Sequence, residues 1–411
     1  MSSNANTLPN KADTVPGGLP FLARRFFRHL APALHSGRLT IIFPGGRKLL
    51  LEGIQNQNPS AVLELKNYRA LRRILQGGAM GFAEAYMDGD WDSPDLPGLL
   101  DLLAGNLDHL KHRLQGHRLY RLWNRLLHLA RRNSKSGSRR NIAYHYDLGN
   151  DFYALWLDKS MTYSAACFTD TRDTLEKAQE EKYRRLAESL NLEPGDHVLE
   201  IGCGWGGFAE FAARTYGCRV TGVTLSREQL AWARERVKRA GLEDLCQFRF
   251  EDYRDIRGQF DHIVSIEMFE AVGEEHWPIY FDQLAYLLKK GGRIALQVIT
   301  IADSRFEDYR RGSDFIQKYI FPGGLLPSPE RFISLAGDHG FNLMGRRDYG
   351  HDYAETLKHW RDGFLARQEE ISALGYPESF RRMWHYYLCY CEAGFRRNTI
   401  DVSHFILGKD D

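Results

Sequence analysis

Val198-Leu199-Glu200-Ile201-Gly202-Cys203-Gly204-Trp205-Gly206-Gly207 is the stretch that decides the fold. An apolar run of strand length ends in Glu200 and passes into a turn with glycine at 202, 204 and 206; Phe208 to Arg214 then reads as a helix. Glycines let a backbone turn sharply and approach a ligand closely. The same strand-then-helix grammar continues on both sides. His197–Ile201, Arg219–Val223, Gln247–Phe250, His262–Ile266 and Arg293–Ile299 read as strands, with helical stretches such as Lys182–Leu190 and Arg227–Ala240 before or between them. That alternation predicts an α/β fold with a doubly wound parallel sheet. Residues from about 303 to 395 are rich in aromatics and read as helical cover over it.

Outward from this core the chain changes character. Its 411 residues suggest two or three units. Residues 1–18 are polar with Gly and Pro and read as a disordered tail. A small N-terminal α+β domain is expected over 19–105: a basic amphipathic helix at Phe21–Leu34, a hairpin through Leu39–Phe43 and Lys48–Leu51, a strand at Ala61–Leu65, then helices. From Asn106 to Arg140 there are ten Lys or Arg against one Asp. Within it, Leu107–Ala130 has helical period, and Asn133–Ser138 is a linker. The remainder, 141–411, holds the sheet.

Composition excludes several classes. Net charge is +2, with 43% hydrophobic and 26% charged residues, as in an ordinary globular protein. No apolar window is long enough to span a bilayer, and the N-terminus carries no signal-peptide run. The six Cys show no metal-ligand CxxC spacing, so no metal is expected, and they read as reduced and buried. The basic block lacks a recognised nucleic-acid motif.

The acidic residue just before the first glycine separates this turn from a dinucleotide loop. The E-x-G-x-G-x-G form of Glu200, Gly202, Gly204 and Gly206 resembles the first motif of class I methyltransferases, whose carboxylate suits a cationic methionine end or a ribose rather than a pyrophosphate. A tight turn closing an ordinary αβ unit is the alternative. Thr224 and Ser226 follow the next strand, with Gln229 three residues on, and both hydroxyls also suit a helix cap. Asp252 follows the third strand, where an acid often reads an adenine amino group; capping is again the alternative.

Several stretches then converge: His145-Tyr146-Asp147-Leu148-Gly149-Asn150-Asp151-Phe152, Met161-Thr162-Tyr163-Ser164, the loop 202–207, Thr224-Leu225-Ser226, Asp252-Tyr253-Arg254, Met268-Phe269-Glu270 with Val272-Gly273, Tyr319–Gly324, Tyr386-Tyr387 and Gly394-Phe395-Arg396. Together, across 141–397, they resemble the cyclopropane-fatty-acyl-phospholipid synthases, including the mycolic acid methyltransferases. The resemblance implies a seven-stranded methyltransferase sheet with an acyl channel under the helical cover. It implies S-adenosylmethionine held by Tyr163, Ser164, the glycine loop, Thr224, Leu225, Ser226, Gln229, Asp252 and Tyr253. The partners it implies are unsaturated phospholipid acyl chains at an anionic membrane surface, with the protein cytoplasmic and peripheral to the inner face. A homodimer is implied as well.

An isolated alkene is a weak nucleophile, so positioning it in line with a sulfonium methyl supplies much of the rate. Transfer leaves a cation on the neighbouring carbon, which aromatic faces and carboxylates can stabilise. A base must then remove a proton: loss from the new methyl closes a cyclopropane, and loss elsewhere gives a methyl-branched alkene. The family resemblance implies a bound bicarbonate as base. Carried over position by position, its holders are Glu270, the backbone of Ile299 and Tyr353, with Tyr146 near the transferring methyl. Two positions depart: Ala165 stands where the family has Cys, with Cys167 two residues on, and Gln297 stands where it has His. Glu267 adds a second carboxylate.

Two readings stay open. In one, bicarbonate binds through Glu270, Gln297, Ile299 and Tyr353, and a cyclopropane forms. In the other, Glu270 or Glu267 is itself the base, its pKa raised by burial and a like-charged neighbour, and the product is methyl-branched. A structural role for Glu270 at a helix N-terminus, a soluble substrate, and a lipid-binding relative without catalysis complete the alternatives. The basic helices read either as membrane-surface elements or as solvated Arg faces on core-packed helices.

Overall fold

The main sheet is formed by β5 (His197–Ile201), β6 (Arg219–Thr224), β7 (Cys246–Phe250), β8 (Phe260–Ile266), β9 (Leu288–Ile301), β10 (Phe341–Asp348) and β11 (Ile400–Lys409). Their order, β10-β11-β9-β8-β5-β6-β7, is that of a doubly wound sheet with an antiparallel edge. The computed structural model describes residues 21–55, 58–111 and 148–409. From β5 the chain builds outward through β6 and β7, then returns to place β8 and β9 on the other side, all parallel. The carboxyl ends of β5, β6 and β8 therefore flank the point where the winding reverses, the usual place for a ligand crevice.

Side-chain alternation explains why both faces are covered. Val198 and Leu199 are both fully buried, on opposite faces of β5. Val198, Phe208, Phe211, Val220 and Phe248 join one core with the helix Leu175–Leu190. Leu199, Ile263, Phe269, Trp277, Phe281, Phe332 and Phe405 form the other. The helix Leu175–Leu190 starts at Thr174, whose side chain accepts from the Lys177 amide, and ends on Asn191 in the left-handed conformation.

The expected α/β sheet of seven strands is present. Two features differ from the sequence reading. The stretch taken as helical cover contains β10, because most of its side chains are solvent-facing on a sheet edge and give no alternating signal. The second difference is that Pro377–Ala393 fold with the described residues of the N-terminal unit rather than with the sheet unit. Arg382 accounts for this: its Nε donates to Tyr86 O (2.6 Å), its Nη2 to Trp91 O (2.9 Å), and its guanidinium lies 4.0 Å from the centre of the Tyr86 ring.

That first unit has a four-stranded sheet, β2-β1-β3-β4, formed by β1 (Arg38–Ile42), β2 (Lys48–Glu52), β3 (Ser60–Leu65) and β4 (Trp91–Asp92). Asn106 ties its ends together, accepting from the amides of His35 and Ser36 and donating to Ser36 O and Leu102 O. The helix Phe21–Leu30 buries Ala23, Phe26 and Phe27 and exposes Arg24, Arg25 and Arg28. The tail 1–18, most of the basic stretch 106–140, and Tyr146 lie outside the described residues. Among those described, no helix is long and apolar enough to cross a membrane, and no cluster of metal-ligating side chains is present.

Candidate functional site

β5 delivers Glu200 and the glycine turn to the switch point. Gly202 has φ 82°, and a Cβ there would lie 2.9 Å from the Met268 side chain, so the turn admits no larger residue without displacement. Gly204 has φ 50° and open space where a Cβ would be, leaving its backbone bare to an adjoining cavity of about 150 Å³. Met161, Tyr163, Ser164, Glu200, Gly202, Cys203, Gly204, Trp205, Thr224, Leu225, Gln229, Glu251, Tyr253, Glu267 and Met268 all line it.

Of the residues expected around the cofactor, most converge here. Thr224 Oγ1 donates to Gln229 Oε1 at 2.9 Å, and Ser226 caps the next helix by accepting from the Gln229 amide at 3.2 Å. Ser226 and Gly206 thus shape the wall without being part of the lining. Asp252 also stands apart. Its carboxylate is held by Arg254 through Nε (2.8 Å) and Nη2 (2.7 Å), and its neighbour Glu251 lines the cavity instead.

The cavity fits S-adenosylmethionine on a physical ground. Glu200 is 3% exposed, and its Oε2 has no hydrogen-bond partner. A buried carboxylate oxygen left without a donor is costly, and a ligand bearing an ammonium or hydroxyl group would satisfy it. Burial pushes the Glu200 pKa well up, while Lys182 and a hydrogen bond from the Ala209 backbone work against the shift.

Lys182 is a residue that the sequence reading passed over. It is fully buried, its Nζ donates to Ser164 Oγ at 2.6 Å, and burial lowers its pKa to about 8 against the pull of Glu267 and other acids. Gln179, one turn earlier, donates to Ser164 O at 2.9 Å. Both pin the strip Tyr163-Ser164-Ala165 against the cavity. The signal was present: Leu175, Ala178, Gln179, Lys182, Tyr183, Leu186, Ala187 and Leu190 form one buried helical stripe with two polar members.

Aromatic rings crowd one side of this strip. Tyr163 lies 5.4 Å from Tyr153, 5.5 Å from Trp156 and 5.1 Å from Trp360 between ring centres, and Tyr353 stacks on Phe395 at 4.3 Å. Ring faces of this kind suit a developing cation.

On the other side stand two carboxylates. Glu267 follows β8, and its Oε1 accepts from the Ala165 amide (2.7 Å) and from Gln297 Nε2 (2.7 Å). Its Oε2 accepts from the Tyr353 hydroxyl at 2.7 Å. Glu270 sits in the short turn Phe269–Ala271, yet its Oε1 accepts from the Ile299 amide on β9 at 2.5 Å, and its Oε2 has no partner. The carboxylate thus reaches across to the sheet and does not cap its own turn. Burial first, then the Glu267 charge, pushes the Glu270 pKa up to about 8. Burial also raises the Glu267 pKa, against the Ala165 amide, Tyr353, Gln297 and Lys182, which all favour its charged form.

Glu270, Gln297, Ile299 and Tyr353 are therefore brought together as the resemblance implied, and Glu267 joins them. Bicarbonate does not fit this arrangement: the donors that would hold it are engaged by the protein's own carboxylates. Cys167 does not replace the missing Cys. It is buried away from the cavity lining, and burial pushes its thiol up to about 12.

Comparison with known proteins agrees with the fold and with the cofactor. A family model described as mycolic acid cyclopropane synthetase matches residues 133–405. A tuberculostearic acid methyltransferase of Mycobacterium tuberculosis is 43% identical over 352 residues, covering 82% of this chain and 81% of that one. A cyclopropane-fatty-acyl-phospholipid synthase of Escherichia coli is 38% identical over 362 residues, covering 86% and 89%. Among solved structures, a cyclopropane synthase from Mycobacterium tuberculosis superposes with a TM-score of 0.63 at 31% identity, covering 66% of this chain and 98% of that one. A mycolic acid cyclopropane synthase complexed with SAH and CTAB gives 0.62 at 31% identity, covering 66% and 98%.

Proposed function

This chain belongs to the mycolic acid cyclopropane synthetase family, and from that premise we propose that it methylates a cis double bond in the acyl chain of an unsaturated phospholipid, giving a methyl-branched unsaturated chain. The coarser statement needs no proposal: it is an S-adenosylmethionine-dependent methyltransferase of lipid acyl chains. The finer reading rests on the Glu267 and Glu270 pair.

S-adenosylmethionine supplies an electrophilic methyl group when bound. Glu200, Gly202, Gly204, Thr224, Gln229 and Tyr253 form its wall, and Gln179 and Lys182 hold Ser164 beside it. The alkene's π pair forms the new carbon–carbon bond to that methyl as the sulfonium S–C bond breaks, its pair staying on sulfur in S-adenosylhomocysteine, and the other alkene carbon becomes cationic. Rings such as Tyr163 and Tyr353, and the Glu267 carboxylate, stabilise that charge in a site that excludes water. Glu270 then takes a proton from the acyl chain, and the C–H pair becomes the product double bond.

One observation carries the choice of product. Of the oxygens of Glu267 and Glu270, the one left open is Glu270 Oε2, and Glu270 is not part of the cofactor wall, whereas Glu267 is. A base set back from the methyl donor removes a hydrogen of the chain rather than of the arriving methyl. A cyclopropane product is the second reading, favoured by the likeness to the Escherichia coli synthase.

The lipid surface reading is supported by the helix Phe21–Leu30, where Arg24, Arg25 and Arg28 are exposed and Phe21 is 69% exposed. The first unit is on this reading a lipid-binding domain, and the sheet unit is the methyltransferase domain.

The test is incubation with methyl-labelled S-adenosylmethionine and vesicles of unsaturated phosphatidylglycerol, followed by ozonolysis and mass spectrometry of the acyl chains. The expected label lies in fragments cut at a methylated double bond. Label in chains that ozone does not cut would establish the cyclopropane, and unlabelled lipid would refute the substrate.

A further inference from the structure

At the end of β8, Glu267 adopts φ 51°, a left-handed conformation that is strained for a non-glycine residue. What offsets the strain is the side chain's position. It meets the Ala165 amide, the Gln297 amide group and the Tyr353 hydroxyl, each at 2.7 Å. Three donors converging on one carboxylate hold the residue in that conformation.

The Gln297 amide is itself oriented from behind. Its Oε1 accepts from His404 Nε2 at 2.8 Å, directly across the β9–β11 register. His404 is buried, and burial first, then nearby cations, lowers its pKa to about 3, so the ring is neutral and Nε2 carries the donated hydrogen. This leaves Gln297 Nε2 to donate to Glu267 and to Ala165 O (3.2 Å). Every polar atom of the Gln297 side chain is engaged in one orientation.

These donors surround a single anionic group, and that group is tethered to the chain. We infer that Glu267 is this protein's built-in replacement for a bound anion, held by Ala165, Gln297 and Tyr353, with His404 as the positioning residue that aims the Gln297 amide. The inference rests on the methyl-transfer reading above. A tethered carboxylate places a negative charge beside the developing cation at every turnover, with no ion to capture from solution. It also explains the two departures from the family pattern. Ala165 leaves room for a side chain that arrives from β8, and Gln297 supplies a donor that stays neutral at any working pH.

The left-handed backbone makes the test clean, since glycine suits φ 51° and Glu267→Gly leaves the donors facing an empty, anion-sized space. Wild type and Glu267→Gly are compared in buffer stripped of carbon dioxide, then with added bicarbonate or formate. Binding of carbon-13 bicarbonate is followed by NMR, which requires no turnover, and Tm and S-adenosylhomocysteine affinity report on the fold and the cofactor wall. Wild type is expected to bind no bicarbonate and to keep its rate in stripped buffer. Glu267→Gly should hold S-adenosylhomocysteine as wild type does, lose about a hundredfold in turnover, bind bicarbonate saturably and regain rate with added anion. His404→Leu should lower kcat about tenfold with cofactor affinity unchanged, and placed in Glu267→Gly it should weaken bicarbonate binding.

Bicarbonate binding by wild type, or a wild-type rate that depends on it, would overturn the inference. So would a folded Glu267→Gly that keeps full rate or that no anion restores. Should Glu267→Gly not fold, the wild-type NMR result decides alone: no binding upholds the inference and binding overturns it. Failure of wild type to methylate any vesicle lipid would refute the substrate proposal, while the NMR arm still decides the role of Glu267.

Discussion

The two halves of the site are built in opposite ways. The cofactor wall is organised around one local run, Glu200 to Gly207, to which Tyr163, Ser164, Thr224, Gln229, Glu251 and Tyr253 add side chains. The carboxylate half, proposed to remove the proton, is assembled from five distant segments that supply Ala165, Glu267 with Glu270, Gln297 with Ile299, Tyr353 and His404. A local site depends on backbone geometry, so it is sensitive to a single added carbon. An assembled site depends on which side chain engages which donor, so it can change chemistry while the fold stays the same.

The largest effect should come from the assembled half. Glu270→Gln keeps shape and removes the base, so turnover on unsaturated vesicles should fall by about a hundredfold or more, while S-adenosylhomocysteine affinity measured by calorimetry stays within about twofold. Retained turnover would remove Glu270 from the chemistry. Gly202→Ala should do the reverse. At φ 82°, with Met268 2.9 Å from the new Cβ, it should weaken S-adenosylhomocysteine binding about tenfold or more and lower Tm. Tyr353→Phe is the mildest of the three. It removes one donor of Glu267, so kcat should fall about tenfold with cofactor affinity unchanged. A variant that shifts both halves equally would break the division between them.

The same contrast explains what was legible in the sequence. Glu200 and the glycines declare strand, turn and helix within ten residues, so fold and donor site are readable together. Glu270, Tyr353 and Ile299 are placed by resemblance, and Glu267 reads as a second carboxylate and an alternative base. Its conformation was hidden, because nothing in Ile266-Glu267-Met268 announces a left-handed residue. The Gln297–His404 pair spans 107 positions and exists only once β11 lies beside β9. Asp252 and Glu251 show a different difficulty. At the end of β7 adjacent residues point to opposite sides, and Arg254 decides which acid stays free of the cavity. β11 mixes Ile400, Val402, Phe405, Ile406 and Leu407 with Asp401, Ser403, His404, Gly408 and Lys409, without the strict alternation that would mark a strand in sequence.

The coupling between Glu267 and Glu270 is the centre of the account, and the pH dependence of kcat/KM reads it directly. The Glu270 carboxyl is pushed up to about 8, first by burial and then by the Glu267 charge. Below that pH it is protonated and cannot accept a proton; above it, the base form prevails. The rate of wild type should therefore rise about tenfold per pH unit and level off near pH 8. Glu267→Gln removes the like charge, so its residual activity should show the same rising limb displaced to lower pH. A wild-type profile flat from pH 6 to 9, or a limb that Glu267→Gln leaves in place, would contradict a working carboxylate pair.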